Sequence, residues 1–97
     1  MKKFLSRDLI LQLREMARKG ASIRMMVEVI RSHTNTNDGL ALVVDRYFKE
    51  AFLLPLGDIR HIEGSSCLGG KVYDDKQIDE ILLPLISMTR ERWENLM

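Results

Sequence analysis

The sequence predicts an all-α fold: a small bundle of four to five helices in a single domain spanning 1–97. Three observations predict it. Apolar residues recur at a 3.6-residue period in four segments, and strand-like alternation is lacking. Helix-capping side chains and glycines punctuate those segments. The chain has 97 residues, 45% hydrophobic and 30% charged, which suffices for one core and not for two.

Ser6 suits the N-cap of a first helix, with Asp8 in its first turn and Leu5 placed to staple against Ile10. Leu9, Leu13, Met16 and Ala17 form its apolar face, and Gly20 supplies a left-handed stop. On the other side Arg7, Arg14 and Arg18 fall within about 40° of one another at 100° per residue, with Leu11 exposed among them. Ser22 caps a second helix over 23–33. Its Ile23, Met25, Met26, Val27, Val29 and Ile30 leave only Arg24, Glu28 and Arg31 as a polar stripe, so it should be the most buried helix.

The turn formers of "SHTNTNDG" interrupt the pattern. A third helix over 38–52 follows, with Leu40, Val43, Val44, Tyr47, Phe48 and Ala51 inward. Asp45/Lys49 and Arg46/Glu50 form i,i+4 pairs on its outer face. "LPLGDIRHIEG" reads as a short helix opening at Pro55 and stopping at Gly64. Asp74 with Gln77 resembles a capping box, with Tyr73 and Ile78 at the staple positions. Ile78, Ile81, Leu82, Leu85, Ile86, Thr89 and Trp93 then keep one phase across Pro84, which predicts a kinked C-terminal helix rather than a clean break. Ile30, Val44, Phe48, Ile81, Leu85 and Trp93 are the expected core.

Composition narrows the function classes. No apolar run approaches the roughly 20 residues of a membrane span. Lys2 and Lys3 are followed by Phe4, Leu5 and Ser6 and then by charge, so no secretory h-region is expected. One cysteine makes no internal disulfide, and the expected compartment is the cytoplasm. Net charge is +1, yet residues 1–31 carry eight Lys/Arg against three Asp/Glu, and residues 32–97 carry seven against eleven. Such asymmetry marks either a charged partner or two solvated faces of opposite sign.

The stretch "EGSSCLGGKVYDD" invites three chemical readings. A phosphate loop needs G-x-x-x-x-G-K-[ST] after a buried strand. From Gly64 to Lys71 there is one residue too many, and Val72 replaces the hydroxyl. A Cys67–His61 nucleophile pair would sit among acidic neighbours that disfavour the thiolate, so Cys67 reads as an inert loop cysteine. Cys67, His33 and His61 lack zinc spacing, and His33 reads as a partner for helix-end carbonyls. Asp74/Asp75 and Asp79/Glu80 suit a helix N-terminus without acid-base work. The expectation is therefore no enzyme, no metal and no cofactor.

Two resemblances bear on function. "LREMARKGASIRMMVEVI" resembles the first two helices of a transposase-type helix-turn-helix, matching at Leu13, Gly20, Ser22, Ile23, Arg24 and Val27. It departs in the long turn and in a third helix of balanced charge, where Asp45 and Glu50 would face phosphate. Taken whole, the chain resembles the small immunity proteins encoded beside bacterial polymorphic toxins, including contact-dependent inhibition systems. The residues that carry this are "RKGASIRMMVEVIR", "LALVVDRYFKEAF", the loop around Gly64–Gly70 and "DDKQIDEILLPLI…RERW". The resemblance implies a protein that binds a toxin domain, often a nuclease, and blocks its active site or substrate path. A helix-turn-helix regulator is the second reading and a structural homodimer the third. No specific nucleic acid and no membrane are expected as partners.

Nucleases are basic around their sites, so the expected partner surface is acidic. Asp74, Asp75, Asp79 and Glu80 are the densest carboxylates, with Leu83 as an apolar anchor and the loop of Ser66 and Lys71 beside them. Its glycines are expected to let that loop conform to a concave site. Asp79 and Glu80 are expected on the solvated face. Arg7, Leu11, Arg14 and Arg18 form the second candidate surface.

Overall fold

The computed structural model describes residues 5–35 and 38–95. Lys2, Lys3 and Phe4, and the Thr36–Asn37 part of the predicted turn, lie outside the described residues. The architecture is all-α, with six helices, two 3-10 turns and no strand among the described residues beyond one isolated bridge between Ser65 and Tyr73.

Helix α1 (Arg7–Arg18) begins where Ser6 Oγ accepts the Leu9 N–H, and it ends before Gly20, whose φ of +80° a side chain would strain. Helix α2 (Ile23–Thr34) starts likewise, Ser22 Oγ accepting the Met25 N–H. Helix α3 (Leu40–Phe52) follows Gly39 at φ +73°, without a side-chain cap. It ends at Leu53, a non-glycine residue at φ +55°. Helix α4 (Leu56–Ile59) is a single turn after Pro55 and runs into the 3-10 turn Arg60–Gly64. A second 3-10 turn, Ser66–Leu68, leads to helix α5 (Asp75–Met88), which opens on a complete Asp74–Gln77 capping box.

Helix α5 runs through Pro84 to Met88 and stops at Thr89, after which helix α6 (Arg90–Glu94) begins. The interruption thus lies five residues beyond the proline. Thr89 sits at φ −93°, ψ 0°, and its hydroxyl donates to the Phe52 carbonyl at 2.8 Å. That bond ties the corner to the end of α3.

Helix α3 lies at the centre, packed by α1, α2, α4 and α6. Seven of its residues are buried, against four in α2, so the most buried helix is the third and not the second. Ile30, Val44, Phe48 and Trp93 are buried as expected, whereas Ile81 and Leu85 are only partly so, flanking the buried Ile78, Leu82 and Ile86. Met25 is 56% exposed despite its place in an apolar run. The larger correction is Asp45, expected on the outer face but only 5% exposed. It lies three residues before Phe48 and seven before Phe52, and so shares the inward stripe that those two rings define.

Candidate partner-binding surface

The segment between the 3-10 turn and α5 is a closed knot of backbone hydrogen bonds. The Val72 and Tyr73 N–H groups both donate to the Gly64 carbonyl, at 3.0 and 3.1 Å. Ser66 N–H donates to the Tyr73 carbonyl and Gly70 N–H to that of Ser65, each at 2.8 Å. A Cβ on Gly70 would stand 2.5 Å from the Gly64 carbonyl carbon. Glycine here permits close backbone approach, and the loop is fixed rather than compliant. Cys67 is buried within it, and burial pushes its thiol up, which favours the inert form. His61 Nδ1 lies 2.9 Å from the Asp58 carbonyl oxygen, and its ring packs against Tyr73.

The acidic cluster expected to face a partner is largely turned to internal use. Asp74 accepts the Gln77 N–H at 2.8 Å while the Gln77 side chain accepts the Asp74 N–H at 2.9 Å. Asp75 accepts a forked pair from Arg24, Nε at 2.6 Å and Nη2 at 2.9 Å, and a further hydrogen bond from Ser66 Oγ. Arg24, then Ser66, holds the Asp75 carboxyl below the usual carboxylate range. Asp79 is half-buried, and its Oδ1 accepts the Ile23 N–H at 2.8 Å. It therefore serves as a cap on α2, where a free helix amide needs an acceptor. The solvated-face expectation holds for Glu80 and fails for Asp79. Lys71 is exposed, and Leu83 is half-buried in a shallow groove beside Ala17, Gly20 and Trp93.

The second candidate surface divides in the same way. Arg7 is exposed and Leu11 half-buried. Arg14 is only 6% exposed, and its Nε donates to the Ala51 carbonyl at 2.8 Å and Nη2 to that of Glu50 at 3.1 Å. Arg18 donates to Glu94 at 2.7 Å and Glu15 at 3.0 Å, with its guanidinium 5.6 Å from the Trp93 ring centre. The charge asymmetry along the sequence closes on itself in space, basic residues of α1 and α2 meeting acidic residues of α5 and α6.

The far side of α5 is outward, as are Leu42 and Val72 elsewhere on the surface. Lys76, Gln77, Glu80, Pro84, Ser87 and Met88 are all exposed, and Met88 is 78% so. This ridge ends at a groove of about 380 Å³ between the α3–α4 corner and the α5–α6 corner. Leu53, Leu54, Pro55, Leu85 and Met88 supply its apolar walls, and Asp58 and Arg92 its charges. Sequence reading missed the groove because its walls come from segments about 30 residues apart and depend on the left-handed Leu53. The exposed position of Met88 was legible, since it lies off the phase of Ile78, Leu82 and Ile86.

Among the described residues no group of three or more His, Cys, Asp or Glu is placed to hold a metal, and no helix is long and apolar enough to cross a membrane. Comparison with models of known families, with curated proteins and with solved structures finds no match for this chain.

Proposed function

We propose that the protein is a toxin-neutralising immunity protein, which binds a cognate toxin domain and blocks its active site or substrate path. The observation that carries the binding part of this reading is the α5 ridge: exposed Met88 and Pro84 beside an apolar groove, with Glu80 along the same face. An apolar anchor within a polar rim is how protein interfaces concentrate their affinity. The caps and ion pairs that fix α5 make the ridge preorganised, which lowers the ordering cost of association. The toxin part rests on the resemblance across most of the chain. Arg14, Arg18 and Arg24 are committed to internal partners, which gives the DNA-binding reading less support.

Glu80→Lys and Met88→Asp test the proposal, since both side chains are exposed and neither makes a cap. A candidate toxin domain is to be sought in the product of the gene directly upstream. Co-expression with the native chain should rescue growth, and the double variant should lose rescue while keeping its helical circular dichroism. Rescue by the folded double variant at native level would remove the ridge from the interface. Absence of rescue by the native chain would remove the immunity reading.

A further inference from the structure

Asp45 is the one buried charged group whose carboxyl leaves an oxygen without a partner: among the described residues, only its Oδ1 is a buried side-chain polar atom lacking a hydrogen bond. A buried ionised carboxylate in that state is costly, and a neutral one far less so. The Glu63 carboxyl, on the 3-10 turn Arg60–Gly64 packed against α3, lies within hydrogen-bonding reach. Glu63 is itself exposed and has Arg60 Nε 4.0 Å away. The geometry therefore suits one proton between two carboxyls: Asp45 O–H donating inward-to-outward to a Glu63 carboxylate that Arg60 balances.

We propose that Asp45 and Glu63 form a proton-dependent latch, holding the Arg60–Gly64 turn against α3 while Asp45 keeps its proton and loosening it when Asp45 ionises. The turn carries the Gly64 carbonyl on which Val72 and Tyr73 hang. Loosening it frees the closed loop that precedes α5. The latch lies within the fold and stands whether or not the chain binds a toxin.

After burial, the groups that act on Asp45 are both on the turn: Glu63 raises its carboxyl and Arg60 lowers it. Burial first, and Glu63 second, push the Asp45 carboxyl from its ordinary 3.8 to about 7. The folded state thus binds a proton that the unfolded chain releases near pH 4. The contribution to stability is full below that pH, declines as pH climbs, and is lost once pH passes about 7. Asp75 and Glu94 act oppositely, their depressed carboxyls adding stability that is lost only as pH falls below about 4.

The test compares the native chain with Asp45→Asn and Glu63→Gln between pH 5 and pH 8. Amide exchange at Ser65, Val72 and Tyr73, corrected for its intrinsic pH dependence, is read with the urea midpoint and the carboxyl carbon shift of Asp45. The native chain should lose loop protection at least several-fold and lower its midpoint as pH rises, with Asp45 titrating above pH 6. Asp45→Asn should hold both constant and exceed the native midpoint at pH 8. Glu63→Gln should move the Asp45 titration downward and flatten the native response. An Asp45 that titrates below pH 5, or an equal pH response in the native chain and Asp45→Asn, would overturn the latch. If Asp45→Asn does not fold, the native titration and Glu63→Gln decide by the same criteria.

Discussion

Arg14 illustrates how a side chain that reads as surface charge becomes part of the interior. Its stem crosses from α1 to α3, and its guanidinium caps two carbonyls that the end of α3 would otherwise leave unpaired. Burial, with Arg18 nearby, lowers its pKa, yet arginine stays charged across any ordinary pH. Because the guanidinium is planar and forked, a lysine would not replace it. Arg14→Met keeps most of the stem while deleting the donors. It should lower stability by about 1.5–3 kcal/mol, the usual worth of hydrogen bonds to a charged group. Urea denaturation followed by circular dichroism measures this, and an unchanged midpoint would mean that water serves the two carbonyls as well.

At the scale of elements, the helix ends are held by side chains from elsewhere in the chain. The carbonyls of Glu50 and Ala51 accept from Arg14, that of Phe52 from Thr89, and the Ile23 amide donates to Asp79. Helix α5 retains Pro84 in its interior, where it removes one hydrogen bond. Pro84→Ala should restore that bond and raise the thermal midpoint, by about 1–2 kcal/mol of stability at most, because the surrounding packing already accommodates the ring. A fall in midpoint would show instead that the proline's stiffening of the unfolded chain dominates. Helix existence and start were legible in residues such as Ser6, Ser22 and Asp74, because capping is local chemistry written within four residues. The burial of Asp45 was legible in its spacing to Phe48 and Phe52, but its charge argued for the outer face. The capping by Arg14 and Asp79 and the stop at Thr89 were not legible, since each depends on a partner 15 or more residues away. For the same reason the acidic cluster could be found in the sequence while its occupation by Arg24 and the α2 amide could not.

At the scale of the whole molecule, ion pairs and aromatic contacts fasten the C-terminal end to the rest. Arg24–Asp75 and Arg18–Glu94 link the basic and acidic halves, but these pairs are solvent-accessible and screened, so they orient more than they stabilise. The stabilising seam is apolar: Phe48 meets Phe52 edge-on at 5.5 Å, and Phe52 meets Trp93 in the same way at 5.5 Å. Trp93 Nε1–H donates to the Ile86 carbonyl at 3.1 Å, so the indole is both buried and satisfied. The short α6, which as an isolated helix would be too brief to persist, is thereby joined to the central helix. Unfolding should accordingly be one event, with Trp93 fluorescence and helical circular dichroism giving the same midpoint. Phe48→Ala removes the ring at the inner end of that seam and should cost about 3–5 kcal/mol, moving both signals together. A tryptophan transition that stays in place while the helical signal shifts would show that α6 docks independently of the core, and that the seam does not couple it to α3.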